Sequence, residues 1–377
     1  MIKKCDHILY LLATLIAFIF IFNPSLKFLY RSELVNVIPT IIFSGLLVVY
    51  FNRIIKGVSI RFTTPLVLIY LFFFGQFFSM LDSLYVDYFD LVKLINLLIS
   101  FVIGFIICDY VDKKLLGRIA ITWCVLLCVG HYFGVITFGY GEDFNHLNFT
   151  LPLATVSSGI MVDLIIKGGK LNIKSVINCF VLVLLLFNIF TAGSRAAILL
   201  PFICAFVCVA LFYKHVSMKK IILLFFSIAL MLFLSWDLII SNMSDFFIHK
   251  MFERSVESDG RYSLYLDSIH IISDNPFGVW FNGFSKYITQ PYPHNIFLEI
   301  AYNSGVFFGI VFFMIVTLVI LMYKQKTLFV DNEKFFVWFV YLMFAWNFSN
   351  GFLSSSPIFF LLGLLIAKEQ KTIKKEH

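Results

Sequence analysis

Long apolar runs separated by short polar connections make up most of this sequence. A helix needs about 20 apolar residues to cross the hydrocarbon core of a bilayer, with a range of about 17–25. The pattern therefore predicts an all-α, polytopic bundle of about twelve spans that forms a single integral membrane domain over residues 1–377. The predicted spans are 8–22, 34–51, 65–81, 91–108, 118–138, 149–166, 175–192, 196–213, 220–240, 294–323, 335–349 and 352–367.

Lys and Arg residues collect on one side of this predicted bundle. With the N-terminus inside, 21 of the 29 Lys and Arg residues and 8 of the 22 Asp and Glu residues fall inside, which leaves 8 and 14 outside. The net charge is then +13 inside and −6 outside, in agreement with the formal total of +7. Because inner loops carry the excess of Lys and Arg, both termini are predicted to be cytoplasmic. The basic charge reflects topology, so no nucleic-acid partner is expected.

Composition supports a membrane protein and excludes some function classes. Hydrophobic residues make up 60% of the chain and charged residues 14%, against about 45–50% and about 25% in soluble domains. The lipid bilayer is therefore an expected partner. The sequence contains no Walker motif and no GxGxxG fingerprint, so ATP hydrolysis is not expected. Nearly all of the cysteines lie inside or at the edges of predicted spans, which argues against a zinc site. We expect neither a metal nor a cofactor.

One long polar segment, residues 241–293, separates the ninth and tenth predicted spans. The charge rule places this loop on the periplasmic side. Ser258 or Asp259 is positioned to cap a helix that runs from Arg261 to about Ser273. The sequence Asn-Pro-Phe-Gly at 275–278 then ends that helix, because proline cannot continue it.

Two arginines on the outer side stand out against the charge bias. Arg195 lies between two apolar runs, directly after Ser194, and Arg261 lies in the long loop. Guanidinium groups bind phosphate with forked hydrogen bonds, and a helix N-terminus favours anions. Together these groups suit a pyrophosphate. Simpler alternatives are a lipid headgroup for Arg195 and a solvated position or an ion pair with Glu257 for Arg261.

A possible base follows the long loop. The candidate is His294, since the ordinary histidine pKa of about 6.5 suits a group that takes a proton from a hydroxyl. Asn295 and Glu299 are four residues apart and share a helix face, so Glu299 could orient His294 or act in its place. The alternatives are an interfacial helix cap for His294 and a satisfied polar contact inside the bundle for Glu299.

Three segments in order resemble the O-antigen ligase and O-antigen polymerase superfamily of polytopic glycan transferases. The first segment, Thr-Ala-Gly-Ser-Arg-Ala-Ala at 191–197, is similar to that family's Ser-Arg motif between two spans. The second, 260–278, resembles its Arg-led helix and Pro-Gly turn. The third, 294–309, resembles its His-Asn opening and later Gly-containing helix. The resemblance covers about residues 175–325.

The resemblance implies a GT-C-like, metal-independent, inverting glycosyltransferase at the periplasmic face of the bacterial inner membrane. Its donor would be an oligosaccharide on undecaprenyl pyrophosphate. Arg195 and Arg261 would bind the pyrophosphate, with Ser194 and Asn295 as further substrate-binding residues. His294 would position or deprotonate the acceptor hydroxyl. A chain-length regulator protein is a further partner that a polymerase of this family implies.

The family divides by acceptor, and the donor motifs do not separate its members. A polymerase extends a lipid-linked repeat unit, whereas a ligase passes the chain to lipid A-core. The outer loop has six acidic residues and four basic ones, which favours polymerase because an acidic face repels a phosphate-rich core. Family polymerases also place a glycine eleven positions after each arginine. This sequence has Phe206 and Ile272 at those positions, and this departure weighs against polymerase.

A transporter or flippase is the alternative from a different class. Transporters tend to show repeated halves and broken helices at matching positions, and this sequence shows neither. Acidic residues at span centres, which proton coupling needs, are nearly absent.

Overall fold

The computed structural model describes most of the chain as helices. The described residues are 2–26, 45, 63–81, 88–136, 146–167, 173–192, 194–212, 260–279, 293–323, 326–348 and 351–376, with 222, 226, 230, 233–234, 236–241 and 248. The helices are α1 (Ile2–Leu26), α2 (Thr64–Leu81), α3 (Tyr88–Ile107), α4 (Lys113–Tyr132), α5 (His146–Lys167), α6 (Ile173–Thr191), α7 (Arg195–Phe212), α8 (Trp236–Ser241), α9 (Gly260–Asp274), α10 (Ile296–Ser304), α11 (Val306–Tyr323), α12 (Lys326–Trp346) and α13 (Ser356–Glu376). A short 3₁₀ turn, Phe352–Ser354, precedes α13. None of these residues forms a strand.

Six of the described helices are long and apolar enough to cross a membrane. They are His7–Leu26, Asp90–Ile107, Lys113–Tyr132, Leu147–Ile166, Ile173–Thr191 and Val306–Tyr323. Shorter apolar helices occur at Thr64–Met80, Ala196–Leu211 and Ser356–Lys368. The prediction of a multi-pass helical membrane protein is therefore confirmed.

The long helices of the bundle extend between two ends. Near one end, the Tyr10 and Tyr110 rings lie 5.8 Å apart, and Lys368 is 3.4 Å from Asp109. This terminal end contains the beginning of α1 and the last turns of α13. The distal end is where Phe352 donates its backbone N–H to Glu299.

Close helix contact in the bundle depends on two glycines. A Cβ on Gly104 of α3 would collide with the carbonyl oxygen of Phe360, and a Cβ on Gly363 of α13 would collide with that of Phe101. The absence of both side chains lets the two backbones approach directly. Small residues serve the same purpose in membrane helix pairs generally, since lipid provides little hydrophobic drive between helices.

A cluster of phenylalanines fills the bundle between α2, α11 and α13. Phe72 lies 5.3 Å from Phe312 and 5.9 Å from both Phe352 and Phe359, between ring centroids. All four side chains are buried. Phe352 enters this cluster with its ring while its backbone faces the distal end, so it connects the core to the polar residues there.

The structure corrects several predicted boundaries. The prediction of a single helix over 294–323 is wrong, because the helix is interrupted at Gly305, which has a φ of +96°. The helix predicted at 335–349 begins earlier, at Lys326, and α13 continues past 367 to Glu376. Apolar runs mark only the lipid-facing length, whereas backbone hydrogen bonding continues into polar residues. The predicted span 34–51, except for residue 45, and part of 220–240 lie outside the described residues.

Candidate functional site at the distal end of the bundle

The Ser-Arg segment forms the turn between α6 and α7. Arg195 is the first residue of α7, and the Ser194 carbonyl accepts a hydrogen bond of 3.0 Å from Ile198 N–H. Ser194 is buried and lines a cavity of about 10 Å³ together with Thr150 and Tyr341. Such a cavity holds one water at most. Ser194 therefore lies beside α5 and α12, and this cavity by itself is too small to hold a pyrophosphate.

Helix α9 is the Arg-led helix that the sequence predicts. It begins at Gly260 and ends at Asp274, close to the predicted bounds. The predicted caps, Ser258 and Asp259, lie outside the described residues. Arg261 lies in the first turn and is partly buried. The inward face carries Leu264, Ser268 and Ile271, which are buried.

The last turn of α12 contacts both arginine-bearing elements. Ala345 lines the small cavity beside Ser194. Two residues later, the Asn347 carbonyl accepts a hydrogen bond of 3.2 Å from the Tyr265 hydroxyl. Tyr265 is one helical turn after Arg261. The end of α12 therefore links helix α9, which carries Arg261, to the turn that carries Arg195.

The turn after α9 docks on the break between α10 and α11 through backbone atoms. Val279 N–H donates to the Tyr302 carbonyl at 2.6 Å, and Val306 N–H donates to the Pro276 carbonyl at 3.0 Å. Gly278 and Gly305 face each other here, with φ of +97° and +96°. A Cβ on Gly278 would lie 2.7 Å from Gly305 N. The second and third sequence segments therefore form one interlocked unit.

A small apolar cluster supports this interlock. Tyr302 of α10 packs with Leu264 and Ile271 of α9, and Val279 of the turn packs against them. Ser304 and Asn303 are also held from α2, since the Ser304 hydroxyl donates to Gln76 Oε1 at 2.8 Å and the Ser79 hydroxyl donates to the Asn303 carbonyl at 3.0 Å. The short helix α10 is consequently fixed on two sides.

His294 occupies a backbone conformation that side chains rarely adopt. Its φ is +58°, in the left-handed region, and it is the only non-glycine residue with positive φ among those described. Its side chain is half-buried and its Nδ1 atom is buried. Such a conformation costs roughly 1–2 kcal/mol and persists only when its surroundings enforce it. The surrounding structure therefore fixes the backbone at His294.

Asn295, and not His294, is the cap of α10. The Asn295 side-chain oxygen accepts hydrogen bonds of 3.1 Å from the N–H groups of Phe297 and Leu298. The alternative interpretation of His294 as the helix cap is therefore wrong. The cap does fix the chain immediately after His294, and the buried Pro293 precedes it.

Glu299 is buried in the first turn of α10 and is held by a backbone contact. Its Oε2 accepts a hydrogen bond of 2.7 Å from Phe352 N–H. Burial raises the pKa of Glu299, the Phe352 hydrogen bond lowers it and Asp90 raises it, and the net result is a pKa of about 8. This is the satisfied polar contact that the sequence left open as an alternative. The contact ties α10 to the 3₁₀ turn before α13.

Sequence reasoning missed the residues that assemble this end of the bundle. Tyr265, Asn347 and Tyr302 link elements that are far apart in the chain, and Phe352 acts through its backbone. Nothing in a local pattern marks a backbone N–H as a partner for a distant carboxylate. The polar Asn347 near the end of an apolar run was the one available signal.

Comparison with known proteins agrees with this geometry. Residues 180–314 match the family model described as O-antigen ligase. The match confirms the resemblance to the O-antigen ligase and polymerase superfamily. It covers the Ser-Arg turn, α9, and the interlock between the turn after α9 and the α10–α11 break. No curated protein and no solved structure matches the chain.

Proposed function

We propose that this protein is an O-antigen polymerase, which transfers a glycan from undecaprenyl pyrophosphate to a lipid-linked repeat unit. The observation that carries the proposal is the convergence of the three motif segments on one end of the bundle. The second and third segments interlock through Gly278 and Gly305, and the end of α12 contacts both arginine-bearing elements. The family match spans all three segments.

Donor binding is assigned to the two arginines. Arg195 at the start of α7 and Arg261 at the start of α9 would hold the pyrophosphate, since each adds a guanidinium to a helix N-terminus. Ser194 and Asn295 would support this site as further substrate-binding residues. Charge accumulates on the pyrophosphate as it leaves, so these groups would stabilise the transition state more than the bound donor.

Acceptor activation is assigned to His294. Its imidazole would take the proton of the acceptor hydroxyl while the hydroxyl oxygen attacks the anomeric carbon. The bond from that carbon to the pyrophosphate oxygen breaks, so one displacement inverts the configuration without a metal. Glu299 is the alternative base. With a pKa of about 8, it is largely protonated at neutral pH, which supports the assignment to His294.

We further propose that the chain crosses the membrane twelve times and that the distal end of the bundle faces the periplasm. Helices α1 and α2 run in the same direction, because Gln76 and Ser79, near the end of α2, contact α10 at the distal end. This agrees with the return pass that the sequence predicts at 34–51. The positions of α7 and α9 agree in the same way with the pass that the sequence predicts at 220–240. Both termini would be cytoplasmic in the inner membrane.

A ligase is the second candidate, because the matching family model carries that description. The exposed surface of α9 favours polymerase instead. Asp267 and Asp274 are exposed there, whereas Arg261 is partly buried. An acidic face is unsuited to a phosphate-rich lipid A-core acceptor. The transporter or flippase alternative receives no support from the family match.

The deciding experiment gives the purified protein a lipid-linked repeat unit with and without lipid A-core. A polymerase lengthens the lipid-linked glycan in both reactions, whereas a ligase forms product only when lipid A-core is present. In cells, deletion should leave one repeat unit on the core. Bare core together with accumulated lipid-linked polymer would contradict the polymerase proposal and support a ligase.

A further inference from the structure

A second polar cavity lies at the terminal end of the bundle, away from the proposed glycosyl-transfer site. Its volume is about 250 Å³, room for several waters at about 30 Å³ each, or for a small polar group of similar size. The first turns of α4 and α6, the end of α5 and the first half of α12 surround it. Six lining residues carry its chemistry: Lys114, Arg118, Lys174, Lys334, Asp163 and Trp338.

Four cations from three helices converge on this cavity against one lining carboxylate. Lys114 and Arg118 are four residues apart on α4, so they share a face. Lys174 comes from α6 and Lys334 from α12. The positive-inside rule accounts for basic residues at this end of the bundle. It does not require them to surround one cavity, where like charges oppose each other.

The helix dipoles add to the positive charge. Lys114 and Lys174 lie in the first turns of α4 and α6, where the partial charge of a helix is positive and a cation is unfavourable. Asp112 caps α4 by accepting from Lys114 and Leu115 N–H groups, but it is not among the cavity-lining residues. A bound anion would be stabilised by the lysines and by both helix termini.

A buried donor also lines the cavity. Trp338 is 3% exposed, and no acceptor among the described residues bonds to its Nε1–H. The Phe22 ring packs against the indole at 5.6 Å and the Phe335 ring at 6.5 Å, both edge-on, which restricts its rotation. Gly159 leaves room beside the donor, since a Cβ there would lie 2.9 Å from Nε1. A buried N–H without an acceptor is unfavourable, and an oxygen-rich anion would supply one.

We propose that this cavity binds a phosphate group with net negative charge, held by Arg118, Lys334 and the two first-turn lysines, and by Trp338 Nε1–H. Two sources share this chemistry: the headgroup of an anionic phospholipid and a soluble phosphate compound. Basic cavities between membrane helices bind anionic headgroups in general. The site is independent of the proposed glycosyl transfer.

The test uses full-length protein purified in an uncharged detergent. The probes are phosphatidylglycerol, phosphatidylcholine with the same acyl chains, and glycerol 3-phosphate. Native mass spectrometry gives the apparent affinity, and the thermal unfolding midpoint gives a second readout, because a ligand of the folded state raises it. The variants are the double change Arg118→Gln with Lys334→Gln, and Trp338→Phe, which removes the donor without changing charge. Lys368→Gln is the matched control, since it removes a cation at the same end, outside the cavity.

Wild type and Lys368→Gln should bind phosphatidylglycerol more tightly than phosphatidylcholine. The double variant should lose about tenfold or more in affinity, the loss of roughly one charge-assisted hydrogen bond, and Trp338→Phe should lose a smaller factor. Competition by glycerol 3-phosphate at equal affinity assigns the site to a soluble phosphate, and its failure assigns the site to a lipid headgroup. Equal binding of the two lipids, no binding of any probe, or wild-type affinity in both the double variant and Trp338→Phe overturns the proposal.

Discussion

At the residue scale, His294 has a backbone conformation that few side chains accept. A φ of +58° disfavours most residues, but Asn tolerates this region better than others. His294→Asn therefore keeps the local backbone and removes the imidazole. This choice separates loss of a base from loss of the turn.

His294→Asn and His294→Ala should each reduce turnover by about 10²–10⁴, the usual contribution of general-base catalysis. Donor binding should survive in His294→Asn. His270→Ala should be close to silent, since His270 is exposed on α9. The measurement is polymer formation from purified lipid-linked repeat units across a range of pH. Near wild-type turnover in His294→Asn would move the role to Glu299.

Replacement of either arginine by lysine should not preserve function, unlike the same change at an ordinary surface cation. Arg195→Ala and Arg261→Ala should abolish long-chain glycan while insertion stays normal. Arg195→Lys should rescue poorly, because an ammonium keeps the charge and loses the forked geometry. The readout is chain length on gels at matched expression. Normal chains in Arg195→Ala would remove that residue from the pyrophosphate site.

Glu299 should make stability depend on pH. The structure raises the pKa of Glu299 from 4.5 to about 8, and α10 lies outside the six candidate spans. The folded state then binds more protons than the unfolded state between these values. The free energy of unfolding should therefore fall as pH rises from about 4.5 to about 8, by at most about 1.4 kcal/mol per pH unit, and level off above that.

Glu299→Gln should flatten this dependence and raise the thermal midpoint above pH 8, because glutamine still accepts from Phe352 N–H without a buried charge. Thermal unfolding in detergent at a series of pH values measures the effect. An unchanged pH profile in the variant would show that another group is responsible.

At the element scale, the contact between the α9 turn and the α10–α11 break depends on two glycines. Gly278 and Gly305 both have positive φ. A Cβ on Gly278 would collide with Gly305 N, and a Cβ on Gly305 would crowd the carbonyl groups of Phe277 and Pro276. Backbone hydrogen bonds on both sides hold the interlock. Its geometry sets how α9, and hence Arg261, lies relative to His294.

Gly278→Ala should lower the free energy of unfolding by more than about 2 kcal/mol and reduce activity, since it adds a collision to the cost of positive φ. Gly134→Ala is the matched control. Gly134 has a φ of +68°, and a Cβ there would meet nothing within 4 Å, so the change should cost only about 1–2 kcal/mol and leave activity intact. Thermal unfolding and the polymer assay measure both variants. Equal effects of the two changes would mean that the interlock itself contributes nothing.

At the scale of the whole molecule, the two ends of the bundle should face opposite sides of the membrane. Ser273 is exposed on α9, and Lys174 is exposed at the terminal end. In a cysteine-free background, Ser273→Cys should react with an impermeant thiol reagent applied from the periplasm. Lys174→Cys should react only after the inner face is opened. Reversed labelling would invert the topology and with it the proposed site.

The apolar pattern predicted the described helices that cross the bundle, and short motifs predicted which residues to examine. The end of α9 followed closely from its own sequence, because Pro276 and Gly278 come directly after it and both favour a turn at a helix end. The break at Gly305 was not predicted, since an isolated glycine in an apolar run has no single local meaning. Only the Gly278 backbone packed against it shows why the chain turns there.

By itself, the sequence determined the fold class, the membrane setting and the family resemblance over part of the chain, because helix length, charge bias and short motifs are properties of neighbouring residues. The tertiary structure decided which residues meet. It brought Glu299 to Phe352, Tyr265 to Asn347 and the two glycines together, and it placed four cations around a cavity that Trp338 also lines. Such contacts join residues that are distant along the chain. They depend on how the helices pack, which no local pattern specifies.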